Sequence, residues 1–133
     1  RRARGFASWA LLRHFGREGI AAMVERHCAQ ARLLAERLAA EPGIAVLNKV
    51  VLNQVALRFG GAAEGAEGDA LTRATIAAVQ EDGICFAAGA AWRGRWIMRL
   101  SVIGASTTEA DIHLSADAIL RARRRVASAR EAL

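Results

Sequence analysis

The chain has 133 residues, 53% hydrophobic and 24% charged, with a formal net charge of +6. This length and composition suit one domain with a hydrophobic core and exclude a disordered or fibrous protein. No apolar run approaches the roughly 18 residues of a membrane span, so we expect no membrane association and no signal peptide. The two cysteines, Cys28 and Cys85, form neither a disulfide framework nor a zinc motif. They indicate reduced thiols and a cytoplasmic location.

The positive charge comes almost entirely from arginine, because Lys49 is the only lysine. The basic residues are scattered except for one run, Arg121 and Arg123 to Arg125, near the end of a predicted helix. Cations there interact favourably with the helix dipole. We interpret the run as a solvated helix end. A subunit contact and nucleic-acid binding are the alternatives, and we expect no nucleic-acid partner.

The first third of the chain predicts two helices. The first covers Arg2 to Phe15 and ends at Gly16, since glycine is common directly after a helix. The second runs from about Arg17 to Ala40 with one apolar stripe at three- and four-residue steps. Pro42-Gly43 stops it.

Four segments predict β-strands, and two of them alternate apolar and polar residues, as strands with one buried face do. In the second strand this alternation places Arg58 opposite the apolar positions. Arg93-Gly94 predicts a turn between the third and fourth strands. The four predicted strands are Ile44–Leu47, Val51–Phe59, Ile84–Ala91 and Trp96–Ile103.

Two more helices are predicted between and after these strands. Gly60 to Gly68 indicates a surface loop, and Asp69 follows as the expected N-cap of a helix that runs through Asp82 and ends at Gly83. Ser106 to Glu109 has the pattern of a capping box for the last helix. The order of elements predicts one α+β domain, a small, mostly antiparallel sheet with helices on one face.

Few residues indicate chemistry. The three histidines are far apart on predicted helices, and His27, on an apolar stripe, is typical of a structural histidine. No nucleophile, phosphate-loop or metal motif occurs. Arg99 stands in an apolar strand and could be a rigidly held anion-binding group or an outward residue in solvent. The small residues Ala87 to Ala91 allow either close approach of a ligand or tight packing.

Several segments resemble the C-terminal part of the group II pyridoxal-phosphate decarboxylases, the aromatic-L-amino-acid and glutamate decarboxylase family. They occur in the family's order and cover nearly the whole chain. The resemblance implies the C-terminal small domain of the aspartate-aminotransferase-like fold, across residues 1–133, with residues 1–16 as a junction helix to a missing large domain. The segments are Arg1–Phe6 with Trp9, Val50–Val55, Trp96–Val102 and Thr107–Ile112.

The same resemblance implies a cytoplasmic, homodimeric carboxy-lyase that releases carbon dioxide from an L-amino acid. Its cofactor, pyridoxal 5'-phosphate, forms a Schiff base with a lysine, usually after a histidine, in the preceding large domain. This chain has no His-Lys pair, and we do not expect Lys49 to take that role. The fragment therefore has no predicted catalytic, cofactor-binding or metal-binding residue, and we expect it to be inactive alone.

The resemblance also implies a role for three arginines. Arg99 matches an arginine that contacts a substrate carboxylate in the glutamate branch, and Arg1 and Arg2 match a pair near the domain junction, which makes them expected interface residues. Three alternatives remain open. They are the small domain of another pyridoxal-phosphate enzyme, such as an aminotransferase, a stand-alone basic α+β domain that binds RNA, and a purely structural fragment.

Overall fold

The computed structural model describes residue 3, residues 5–62 and residues 65–132. Arg1 and Arg2 lie outside the described residues, so their interface role stays a prediction. The described residues form an α+β domain, as predicted. Its elements are α1 (Gly5–Ala39), β1 (Ile44–Val46), β2 (Gln54–Phe59), α2 (Ala66–Asp82), β3 (Ala88–Trp92), β4 (Arg95–Ser101) and α3 (Glu109–Glu131).

The two helices predicted at the start of the chain are the two halves of α1, separated by a kink at Gly16. Gly16 has φ 63° and ψ −177°, a conformation that a side chain would disfavour. Every buried residue of α1 lies in its second half, between His27 and Leu38. The first half of α1 therefore adds nothing to the core of the domain.

The four strands form one antiparallel sheet in the order β1-β2-β4-β3. Val55 pairs with Leu100 and Leu57 pairs with Met98, and directly paired residues point to the same face. These four residues are buried in one core with apolar side chains of all three helices. The structure thus confirms an antiparallel sheet with helices on one face, and we call the opposite side the outer face.

The strands are shorter than the sequence predicted, and side chains bond to backbone groups at the starts of two of them. β2 begins at Gln54 rather than Val51. The side chain of Asn48 accepts from the Ala56 amide at 2.8 Å and donates to the Gln54 carbonyl at 3.1 Å. β3 begins at Ala88 rather than Ile84, and β4 ends at Ser101 rather than Ile103. Gln80 donates to the carbonyl of Ala87 at 2.7 Å, directly before β3.

The predicted N-cap of α2 is wrong, because the helix begins directly after Gly65 and Asp69 lies within it. The Asp69 carboxylate instead accepts from the backbone N–H of Trp96 and from the guanidinium of Arg58, both at 3.0 Å. Arg58, expected opposite the apolar face of its strand, is 1% exposed. It also donates to the carbonyls of Gly61 and Gly65 at 3.0 and 2.7 Å.

The capping box of α3 exists two residues later than predicted. Thr108 is the N-cap, and its hydroxyl accepts from the Asp111 amide at 3.3 Å. The Asp111 carboxylate in turn accepts from the Thr108 amide at 2.8 Å. Ser106 lies in the turn before the helix, so the Ser106–Glu109 pattern was a match in sequence only.

The arginine run of α3 connects that helix to its neighbours and is not merely solvated. Arg123 donates to the carbonyl of Pro42 at 3.0 Å, and Arg124 pairs with Glu41 at 3.2 Å. Arg125 pairs with Asp82 at 2.9 Å. These contacts join α3 to the ends of α1 and α2, and they partly neutralise the run.

Candidate functional site

Arg99 projects from the outer face of the sheet with small neighbours on both sides. It is exposed, and its partners in the adjacent strands are Ala56 and Ala88. Their methyl side chains leave space around the guanidinium. Among the described residues, none forms a hydrogen bond or ion pair with the side chain of Arg99. Its planar fork of donors is therefore available to a carboxylate or phosphate.

Arg99 lines a cavity of about 480 Å³ at the end of the sheet. The cavity lies between the end of β4, residues 85–88 and the first turns of α3. Its volume is in the usual range for small-molecule sites. Polar groups on its lining are Cys85, Arg99, Ser101, Thr107, Asp111 and Ser115.

Large apolar side chains lie beside the cavity in open solvent. Phe86 is 77% exposed and Ile103 is 73% exposed, and both line the cavity. Exposed apolar residues grouped beside a cavity are typical of a surface that a ligand or another protein segment covers. We therefore regard Arg99 and this apolar border as one candidate site.

Hydrogen bonds and burial set the ionisation of two groups in the cavity. The backbone N–H and hydroxyl of Thr108 hold the pKa of the Asp111 carboxyl below its usual value, so Asp111 is a carboxylate at neutral pH. Burial raises the pKa of the Cys85 thiol, a hydrogen bond with Ser115 opposes this, and the charge of Asp82 adds to it. Cys85 is thus a neutral thiol at pH 7 and a poor nucleophile.

The small residues before and within β3 pack tightly at two positions, and a third lines the cavity. Ala88 faces Arg99 and lines the cavity, whereas Ala87 is fully buried in the core. A Cβ on Gly89 would come within 2.8 Å of the Trp96 indole, so glycine is needed there for packing.

The three histidines are not brought together. His27 is buried and its Nε2 lies 2.9 Å from the Gly104 carbonyl, which confirms a structural role. His113 Nδ1 accepts from Arg37 at 2.7 Å, since arginine can only donate. His14 lies in the first half of α1, edge-to-face with Phe15. The described residues contain no cluster of three or more potential metal ligands, and no described helix is long and apolar enough to cross a membrane.

No family model and no curated protein sequence matches the chain, but solved structures do. Oryza sativa TDC, crystallised with PLP and tryptamine, matches with TM-score 0.81 and 21% identity over 94% of this chain and 27% of its own. Catharanthus roseus tryptophan decarboxylase in complex with L-tryptophan matches with TM-score 0.78 and 15% identity. This match covers 88% of this chain and 25% of the decarboxylase chain. Lactobacillus brevis glutamate decarboxylase matches with TM-score 0.73 and 17% identity. This match covers 89% of this chain and 27% of the decarboxylase chain.

The chain spans about a quarter of the length of these structures. At this level of identity the likeness concerns the fold. The chain therefore has the α+β fold of a segment of the pyridoxal-phosphate-dependent amino-acid decarboxylases.

Proposed function

We propose that the chain is the C-terminal domain of a pyridoxal-phosphate-dependent decarboxylase that releases carbon dioxide from an L-amino acid. Arg99 carries this proposal, because it is a rigidly held cation without a partner among the described residues and it lines the cavity. The structural likeness to decarboxylases over most of the chain supports it. In this proposal, the rest of the active site lies against the outer face and the exposed apolar border.

The role we propose for Arg99 is to bind and orient a carboxylate of the substrate. A guanidinium stays protonated at all physiological pH values, so Arg99 cannot act as a general acid or base. Two parallel N–H donors fix the plane of a carboxylate as well as its position. Because Arg99 is anchored in the middle of β4, its position is more precise than that of a loop residue.

The residues of this chain do not form a pyridoxal-phosphate site. That cofactor requires a lysine for its Schiff base and a partner for its ring nitrogen. The lining of the cavity contains no lysine, and Lys49 is exposed in the loop before β2. The cofactor and its lysine would therefore belong to residues outside this chain, and the isolated chain should not decarboxylate amino acids.

We also propose that the parent enzyme is a cytoplasmic homodimer. Support for the homodimer comes from two apolar surfaces that the described residues leave in solvent, the first half of α1 and the border formed by Phe86 and Ile103. A domain of an obligate assembly buries such surfaces against its neighbours. The RNA-binding alternative is less favoured, because Arg123, Arg124 and Arg125 already pair within the chain.

The first test is to determine the coding sequence upstream of Arg1. The proposal expects a continuous reading frame with a lysine-bearing α/β domain, and the complete protein should release carbon dioxide from at least one L-amino acid. A different activity, such as amino transfer, would support another pyridoxal-phosphate enzyme instead. An upstream frame without such a domain would refute the proposal.

In the complete enzyme, Arg99→Ala should raise KM for the amino acid by about tenfold to a hundredfold, the range for a lost charge-assisted hydrogen bond. Arg99→Lys should be intermediate, since lysine keeps the charge and loses the fork. The matched control is Arg121→Ala, an exposed arginine of α3 that does not line the cavity. Equal steady-state kinetics for Arg99→Ala and Arg121→Ala would contradict the role of Arg99.

A further inference from the structure

One face of α1 holds the loop that joins β4 to α3. Arg26 donates to the carbonyl of Ala105 at 2.8 Å, and the Nε2 of His27 lies 2.9 Å from the carbonyl of Gly104. Gln30 donates to the carbonyl of Thr107 at 2.7 Å. We call residues 104–107 the rim loop. Three carbonyls of this loop therefore depend on three side chains within five residues of one helix.

The rim loop forms part of the wall of the candidate site. Gly104 and Thr107 both line the cavity. Before the loop, β4 carries Arg99 and Ser101. After it, the first turn of α3 carries Asp111. A displacement of the loop would thus change the distance between the two sides of the cavity.

Among the described residues, the rim loop has one further hydrogen bond, which lies within the loop. The Thr107 amide donates to the Gly104 carbonyl at 3.1 Å, within the loop itself. A Cβ on Gly104 would collide with the Thr107 hydroxyl. The turn is therefore tight, and both of these contacts join residues of the loop to each other. In the part of the chain that the structure describes, the hydrogen bonds between this loop and the rest of the domain come from α1, and two of the three donors, His27 and Gln30, are buried.

We propose that Arg26, His27 and Gln30 are positioning residues, which hold the rim loop and so set how far the cavity opens. Their donors lie where α1 passes from its exposed half into the core. A shift of α1 would therefore move the rim of the cavity. The importance of this for catalysis rests on the proposed function, whereas the position of the loop can be tested without any cofactor or substrate.

The test uses Cys85, which lines the same cavity and is half-buried. In a Cys28→Ala background it is the only thiol of the full chain. We expect iodoacetamide to modify Cys85 on the order of tenfold faster after His27→Leu, Gln30→Met or Arg26→Met, since each change removes one donor to the loop. His27→Gln, which retains a donor, should restore a rate close to that of the parent.

The matched control is Arg32→Met, which removes an exposed arginine from the same helix. It should leave the modification rate unchanged. Each rate is also measured from 0 to about 1 M urea, because local opening exposes little surface and responds weakly to denaturant, whereas global unfolding responds steeply. Faster modification with a flat urea dependence supports the proposal. Unchanged rates, a steep urea dependence or an equal effect of Arg32→Met would overturn it.

Because this experiment uses the chain alone, its result is independent of whether the complete protein is a decarboxylase. A failed carbon-dioxide assay with fast modification of Cys85 in the three variants would reject the proposed function and retain the positioning residues. Carbon-dioxide release with unchanged Cys85 modification would retain the proposed function and reject the positioning residues.

Discussion

Two arginines in neighbouring strands of the sheet have opposite environments, since Arg58 is buried and Arg99 is exposed. Arg58 and Arg99 both interrupt an apolar strand pattern. Arg99 lines the cavity, and its role in binding a substrate stays a prediction. Arg58 is instead buried by Asp69 and two loop carbonyls. The strand pattern alone does not distinguish a buried, paired arginine from an exposed one, because the difference depends on whether another segment supplies a carboxylate.

Asp69 allows a prediction about pH. The Trp96 amide, and after it the Arg58 guanidinium, hold the pKa of the Asp69 carboxyl below its usual value. A carboxyl with a lowered pKa in the folded state stabilises the protein above its unfolded pKa of about 3.9. This contribution is lost as the pH falls through the folded pKa.

We therefore expect Asp69→Asn to lower the free energy of unfolding at pH 7. Between about pH 4 and pH 2, this free energy should fall less in the variant than in the wild type. Urea unfolding followed by circular dichroism at several pH values measures both effects. Glu67→Gln is the control, since it removes the same charge from the exposed side of the same helix turn. An identical pH dependence in Asp69→Asn and the wild type would contradict the prediction.

At the scale of elements, the sequence predicted helices better than strand ends. The helical stripes extend over ten or more residues, so one misplaced residue does not hide them. The predicted starts of β2 and β3 were wrong by three and four residues, and at both observed starts a side chain, Asn48 or Gln80, bonds to the backbone. Side-chain hydrogen bonds of this kind leave no periodic signal. For the same reason, the three donors of α1 to the rim loop were not predicted.

The start of α3 gives a prediction that separates the sequence pattern from the structure. Thr108→Ala removes the N-cap and should destabilise the protein by about 1 kcal/mol, the typical value for a lost threonine cap. Ser106→Ala removes the hydroxyl that the sequence pattern proposed as the cap and should change stability by less than about 0.5 kcal/mol. Chemical denaturation of both variants measures the difference. A larger loss in Ser106→Ala would favour the original register of the capping box.

At the scale of the whole molecule, the sequence predicted the order of elements and the single helical layer. The sequence did not predict the cavity, because Cys85, Arg99 and Ser115 come from three separate segments and meet only in the folded domain. The structure also shows that the two halves of α1 differ in the burial of their apolar side chains. The second half of α1 packs into the core, whereas the first half presents its apolar residues to solvent.

The first half of α1 is apolar on more than one side. Within residues 5–15 the only ionisable side chains are Arg13 and His14, while Phe6 and Trp9 are 66% and 57% exposed. Helices that are apolar all round are normally buried, and an isolated helix of this length is marginal in water. This segment therefore needs a covering surface, and in the isolated chain the nearest available one is a second copy.

We expect the isolated chain to self-associate in spite of its net charge of +6. Light scattering after size-exclusion chromatography should give a mass that rises above 14.2 kDa as the concentration increases. Trp9→Glu with Leu12→Glu should shift the chain towards the monomer, because charges on this surface oppose burial. Ala29→Glu, on an exposed position in the second half of α1, is the matched control and should still associate. A wild-type chain that remains monomeric at high concentration would mean that the exposed half of α1 does not drive association.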